Sequence, residues 1–283
     1  SLYVAGMRDV LVCIDAKTGS VKWKVDFVEK LKSDLPAFGM VCSPLVIGDH
    51  VYVQAGASFV KLDKRTGEIV WRTLKDDGGM MGSAFSSPVL STIGGTSQLL
   101  VQTRTKLAGV DPESGKELWT QEIEAFRGMN ILTPVVFQEK VFTTAYGGQS
   151  HMFSLDRGGD AWQTKEVWQT KQQGYMSTPV VIEGHAYIHL KNQRFACINL
   201  ETGTETWTTK PFGKYWSLVA NGDKILALDE TGILRLIQAN PKEFTLLDER
   251  QVAEESAWAH LAVCGSDVCV RSLRSLMVFS WGQ

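Results

Sequence analysis

Apolar and polar positions alternate along most of the chain. "PLVIGDHVYVQAG" (44–56) gives a short strand, a Gly-Asp turn, and Val-Tyr-Val as a second strand. A third strand follows in "FVKLD" (59–63), then a Thr-Gly turn, then a fourth strand in "EIVWRT" (68–73). The period is two, and the strand positions are rich in Val, Ile, Tyr and Thr. A helix would need apolar residues at i, i+3, i+4 and i+7, and that pattern is missing. The pattern therefore predicts four short antiparallel strands per unit, with turn residues between them.

The unit recurs. "CIDAKTGSVKW" (13–23), "KLDKRTGEIVW" (61–71), "GVDPESGKELW" (109–119) and "CINLETGTETW" (197–207) all place Gly seventh and Trp eleventh. Trp23, Trp71, Trp119, Trp168 and Trp207 are spaced by 48, 48, 49 and 39 residues. A Ser-Pro or Thr-Pro pair precedes four of the units, at Ser43–Pro44, Ser87–Pro88, Thr133–Pro134 and Thr178–Pro179. Proline there fits the first residue of a strand, where no ladder donor is lost. Four-stranded units repeated at this period predict an all-β fold, a β-propeller of antiparallel blades.

Seven units are expected, at about 1–27, 40–75, 84–124, 130–171, 175–210, 214–250 and 256–283, in one domain spanning 1–283. The fourth carries extra residues before Trp168, and the sixth has Leu246 at the Trp position. The first unit begins at its second strand, and the last stops after its third. Propellers close by letting one terminus complete the blade at the other. The expectation is therefore a trimmed chain of seven blades, or eight if an N-terminal segment is missing.

Gly19, Gly67, Gly115 and Gly203 sit where the turn between third and fourth strands needs positive φ. The preceding Asp15, Asp63, Asp111 and Asn199 can bond amides of the same turn. Burying one indole removes ~150–250 Å² from water, an upper bound of roughly 4–6 kcal/mol. The five tryptophans are thus expected as structural docking residues between blades, together with the four glycines.

Composition narrows the class. With 44% hydrophobic and 21% charged residues the chain is that of a globular protein. A net charge of −2 gives no global field for nucleic acid. No run of ~18 apolar residues exists, so no transmembrane helix is expected. A monomer is expected. The cysteines number five, with no CxxC pair. Cys264 and Cys269 flank "GSDV" and could form a disulfide in an oxidising compartment.

The repeats, four of the units led by Ser/Thr-Pro, resemble the tryptophan-docking repeats of the PQQ-like β-propeller superfamily. That superfamily includes quinoprotein alcohol dehydrogenases, the outer-membrane assembly lipoprotein, and exported polyvinyl-alcohol-dehydrogenase-like proteins. The resemblance implies an extracytoplasmic location. For the dehydrogenases it implies PQQ stacked between a Trp and a ring of adjacent cysteines, and Ca²⁺ held by Glu, Asn and Asp. This sequence has no adjacent Cys pair and no assignable calcium set. No metal site is expected: His185 and His189 lie roughly 13 Å apart along a strand.

Two sets of loops should gather on one face around the channel. One set brings Arg127, Tyr175, Tyr215, Trp216 and Trp258; the other brings Arg104, Lys106, Lys191, Arg194, Arg271 and Arg274. Together they predict an aromatic and basic mouth for a protein or a small anionic ligand. The expected function is a non-catalytic binding or scaffold module without a cofactor. The alternative is a PQQ- and Ca²⁺-dependent dehydrogenase acting on an alcohol or sugar. In it His260 would be the base, and Arg271, Arg274 and Lys191 would meet the quinone carboxylates.

Overall fold

A computed structural model describes residues 1–76, 84–159 and 161–280. Residues 77–83, most of the Gly-rich stretch that reads as an inter-blade loop, lie outside the described residues. Strands β1 (Leu2–Gly6), β2 (Val10–Ile14) and β3 (Val21–Asp26) form the first sheet, and the one-turn helix α1 (Phe27–Leu31) follows. Asp26 caps α1 by accepting from the Glu29 amide at 3.1 Å. The second sheet is β4 (Leu45–Ile47), β5 (His50–Gln54), β6 (Phe59–Asp63) and β7 (Ile69–Thr73). The third is β8 (Val89–Ile93), β9 (Thr96–Gln102), β10 (Lys106–Val110) and β11 (Glu117–Glu122). The fourth is β12 (Val135–Phe137), β13 (Lys140–Thr144), β14 (Ser150–Gly158) and β15 (Ala161–Thr170).

The fifth sheet is β16 (Val180–Ile182), β17 (His185–His189), β18 (Phe195–Asn199) and β19 (Glu205–Thr208). The sixth is β20 (Trp216–Asn221), β21 (Lys224–Asp229), β22 (Ile233–Gln238) and β23 (Thr245–Gln251). The seventh holds three strands, β24 (Ala262–Cys264), β25 (Asp267–Arg271) and β26 (Leu276–Ser280). Every sheet follows chain order and every pairing given by register is antiparallel. The chain divides into two compact units, Ser1–Val167 and Trp168–Gln283, with the division inside β15.

Local chemistry explains each repeat. In the second sheet Asp63 Oδ1 accepts from the amides of Arg65 (2.8 Å) and Thr66 (3.0 Å), and Gly67 follows at φ +75°. Asp15, Asp111 and Asn199 make the same pair of bonds in their own turns. Those amides hold the carboxyls of Asp63 and Asp111 below the usual range. Beyond the turn the register shifts by one residue: Lys61 faces Trp71, but Leu62 faces Ile69. The same bulge recurs opposite Trp23, Trp119 and Trp207. It turns the fourth strand so that the indole faces across the sheet edge.

That indole then docks on the following sheet. Trp23 Nε1 donates to the Lys64 carbonyl (3.1 Å), and a Cβ on Gly67 would lie 2.8 Å from its ring. Trp71 reaches the Glu113 carbonyl (3.0 Å) and lies against Gly115, where a Cβ would come within 2.7 Å. Trp168 reaches the Leu200 carbonyl (2.9 Å) over Gly203, and Trp207 the Asn240 carbonyl (2.8 Å). These glycines thus supply both a positive φ and the absence of a side chain. A Cβ on Gly19 would meet nothing within 4 Å.

Trp119 corrects the expectation of a uniform docking row. Its indole bonds Gln98 Oε1 (2.6 Å) in its own sheet and presses on Gly109. The reason lies in the fourth sheet. There the extra residues extend β14 and β15 into a long hairpin, and Trp119 is buried in one apolar cluster with Val141, Phe153 and Leu155. Core layers lie between consecutive sheets within each unit. Leu11 and Val25 pack with Val51, Val53, Val60 and Leu62 in the first unit, and Phe195, Trp216, Ile225 and Ile237 pack together in the second. In the last hairpin Cys264 faces Asp267 and Cys269 faces Ala262, so the two cysteines are not cross-strand partners; both are free thiols.

Candidate functional site

The second strands carry a signal that the repeat analysis passed over. In six of the seven sheets the apolar run ends on a polar residue: Gln54, Gln102, Thr144, His189, Asp229 and Arg271. In the first unit Gln54 Nε2 donates to the carbonyls of Ser86 (2.7 Å) and Gln102 (3.0 Å). Gln102 Nε2 reaches the Thr144 carbonyl (3.5 Å), and its Oε1 accepts from the Thr143 hydroxyl. These side chains are fully buried or nearly so, and a buried amide stays only where it is bonded. They form a relay that joins three sheets at one end.

In the second unit the same place is charged. Asp229 and Arg235 are buried and pair at 2.6 Å. The Arg235 guanidinium lies 5.3 Å from the centre of the Trp216 ring, on which the His189 imidazole also stacks (5.6 Å, 20°). His189 is fully buried, its Nε2 bonds the Gly213 carbonyl (3.2 Å), and burial pushes its pKa down to about 4. It is therefore a neutral core residue at pH 7. Glu230 accepts from the amides of Lys214 (2.7 Å) and Tyr215 (3.0 Å) and shapes the loop before β20.

In the first unit, Arg104 is not a lone cation. Its guanidinium forms a two-pronged pair with Asp76, at 2.8 and 2.9 Å. Lys106 is half-buried at the start of β10. Arg127 is exposed at φ +53°, with its guanidinium 5.1 Å from the Phe126 ring centre.

In the second unit, Tyr215 is buried beneath the exposed Trp258, with stacked rings 5.3 Å apart and 15° from parallel. Burial pushes the Tyr215 hydroxyl up to about 12. His260 is exposed and meets Tyr215 edge-on at 6.4 Å. Trp216, expected on the ligand face, is corrected: it is fully buried, and its Nε1 bonds the Phe212 carbonyl (2.8 Å). An indole between Phe195, Phe212 and His189 is worth more inside the core than at a rim. Tyr175 is half-buried, and its amide donates to the His189 carbonyl (3.3 Å). Lys191 is exposed in the next loop, and the Arg194 guanidinium bonds the Thr209 carbonyl. Arg271 and Arg274 are exposed on the seventh sheet, where Glu255 accepts from the Arg274 amide (3.1 Å) and lies 3.8 Å from its guanidinium.

These placements do not fit a quinone–calcium site. Cys13, Cys42 and Cys197 are buried in separate places, and the Cys42 thiol is pushed up to about 12 by burial and donates to the Gln54 carbonyl. Among the described residues no three His, Cys, Asp or Glu side chains converge on a point that could hold a metal ion. No helix among them is long and apolar enough to cross a membrane.

Docked tryptophans, turn glycines and seven consecutive antiparallel sheets define an all-β, seven-bladed propeller of the PQQ-like superfamily. Residues 1–209 match a family described as outer membrane protein assembly factor BamB, and the chain belongs to that family. It is 24% identical over 248 residues to the outer membrane protein assembly factor BamB of Yersinia pestis, covering 81% of this chain and 59% of that protein. It is 26% identical over 159 residues to that of Shewanella oneidensis, covering 56% and 36%. A quinoprotein ethanol dehydrogenase of Pseudomonas aeruginosa is 29% identical over 130 residues, or 42% of this chain and 20% of the enzyme. The chain thus spans less than two thirds of the curated relatives it matches. The crystal structure of BamB from Moraxella catarrhalis superposes with a TM-score of 0.75 at 17% identity, covering 98% of this chain and 80% of that one.

Proposed function

We propose that residues 1–283 form one propeller domain that acts as a non-catalytic scaffold in outer-membrane protein assembly, in the cell envelope. The family membership supports this reading. The observation that carries it is the state of the expected catalytic groups. His260, the candidate base, is exposed against an aromatic ring and is bonded to no carboxylate among the described residues, and the Arg104 and Arg274 side chains are matched to Asp76 and Glu255. Such a surface suits holding polypeptide or an anionic group by aromatic and basic contacts. The aromatic and basic residues of the loops form its partner face, and the partner is a protein.

Two measurements test it. Adding PQQ with Ca²⁺ should leave dye-linked alcohol oxidation at background and should not shift the melting temperature. A Ca²⁺-dependent rise in melting temperature with turnover would establish the dehydrogenase instead. In cells, loss of the protein should lower the amount of outer-membrane β-barrel protein, and a cytoplasmic fractionation pattern would remove the envelope reading.

A further inference from the structure

A buried carboxylate normally has a counter-charge, and Asp9 in the first unit has none. It lies between β1 and β2 at φ +60° and is only 3% exposed. Its Oδ2 accepts from the Gly56 amide (2.8 Å), and among the described residues the carboxylate pairs with no cation. Burial pushes its pKa up and the Gly56 amide works against that shift. The charge that acts on it is a second carboxylate, Asp26, which pushes the pKa the same way as burial. A charge held out of water without a partner is expensive.

Asp9 lines a cavity of about 30 Å³, to which Gln54, Ser58, Thr103 and Arg104 also contribute. That volume suits one or two groups the size of a water molecule. The hydroxyls and the amide on its wall have spent their hydrogens. Gln54 uses both of its side-chain N–H groups on the carbonyls of Ser86 and Gln102, so Oε1 is what it can still offer. The Ser58 hydroxyl donates to the Ala55 carbonyl (2.9 Å), and the Thr103 hydroxyl to the Lys106 carbonyl (3.1 Å). Arg104 holds Asp76 in its two-pronged pair. Arg72 is outside the lining, with its guanidinium on the Gly56 carbonyl (2.6 Å) and the Ser58 hydroxyl (2.7 Å). The carboxylates of the lining, Asp9, Asp34 and Asp76, therefore outnumber its one cation, Arg104. Pro36, Met40 and Leu74 give the wall an apolar side.

We propose that this cavity takes the primary ammonium of a lysine side chain from a partner protein, with Asp9 as its counter-charge, the Gln54 oxygen as a further acceptor, and Pro36, Met40 and Leu74 along its alkyl stem. An ammonium is compact and brings only donors, which is what a wall of acceptors lacks. A guanidinium is broader, and a metal ion would need a converging set of side chains that the described residues do not provide. The proposal rests on the scaffold reading for the source of the lysine, and it names the group that the partner presents.

The test is backbone-amide NMR of the full chain, titrated with Nα-acetyl-lysine methylamide. Gly56 is the reporter, because Asp9 holds its N–H. A saturable shift of that amide is expected. The norleucine analogue, of similar length without the charge, should give none. Asp9→Asn keeps an acceptor for Gly56, and Asn tolerates positive φ. The rest of its spectrum should stay in place while affinity for the lysine compound falls about tenfold or more. Asp49→Asn, at an exposed carboxylate paired with Lys64, should change nothing. No shift at Gly56, an equal shift with the norleucine analogue, or unchanged affinity in Asp9→Asn overturns the proposal. So does a Gly56 shift that Ca²⁺ or K⁺ saturates and that excludes the lysine compound, which would make the cavity an inorganic cation site. The comparison of the two compounds on the unaltered chain decides the matter even if the variant does not fold. The scaffold reading fails separately. A chain that binds the lysine compound but whose loss leaves outer-membrane proteins at normal levels keeps the ammonium site and loses the function.

Discussion

Trp71 and Trp119 share a motif and have different surroundings. Trp71 gives its N–H to a backbone carbonyl in a solvated turn, where water can replace it. Trp119 gives its N–H to the buried Gln98. Replacing each with Phe keeps most of the apolar surface. Trp71→Phe should cost about 0.5–1.5 kcal/mol, and Trp119→Phe about 1–3 kcal/mol because a buried acceptor is stranded. Urea unfolding of both variants checks the order, and equal costs would contradict it. His189 supplies a pH dependence. Its folded pKa, about 4, is below the reference of 6.5, so the unfolded chain binds the proton first. Its contribution is complete above about pH 6.5 and is lost as pH falls toward about 4, over a span of roughly 3 kcal/mol. The charged groups around it are Asp229, Glu230 and Arg235, and the two carboxylates oppose the shift. His189→Gln should therefore flatten the stability-versus-pH curve between these limits, and an unchanged slope would assign the acid sensitivity elsewhere.

At the scale of elements the β14–β15 hairpin is the departure from the repeat. It leans on the turn after β8. A Cβ on Gly94 would lie 3.1 Å from the Trp162 ring, the Arg157 guanidinium lies 5.9 Å from that ring's centre, and Thr164 bonds Gln121 (2.9 Å). This packing adds to the buried cluster of Trp119, Phe153 and Leu155, against which Trp162 is packed. Trp162→Ala should raise hydrogen exchange at the hairpin amides and leave the second sheet protected, with an overall cost of about 1–3 kcal/mol for a half-buried ring. Loss of protection throughout the first unit would mean that the hairpin is part of its core. The extra residues before Trp168 were visible in the chain. That they lengthen two strands and redirect a tryptophan of the preceding sheet was not, because the effect depends on what the next sheet offers.

For the whole molecule, a net charge of −2 is a sum over surfaces that differ. Within the second unit Asp229 and Arg235 are buried as a pair, whereas Lys171, Lys210 and Lys214 are exposed. That arrangement suits a scaffold, which needs complementary surface and a fixed frame. The frame is costly to disturb: buried relays such as Gln54–Gln102–Thr144 tie sheet to sheet with directional bonds, where apolar layers alone would let them slide.

The four-stranded antiparallel pattern and the turn chemistry were legible in the chain, because they rest on local rules. Alternation sets the strands, Asp and Gly set the turn, and Trp at a fixed distance marks the outer edge. The functional face was only partly legible. Arg104, Arg194 and Arg274 could be assigned to loops, but whether a cation is matched depends on carboxylates and carbonyls distant in sequence. Trp216 reads the same as Trp258 on paper, and the fold buries one and exposes the other. Burial and charge pairing are properties of neighbours brought together from different sheets, so only the tertiary structure could decide them.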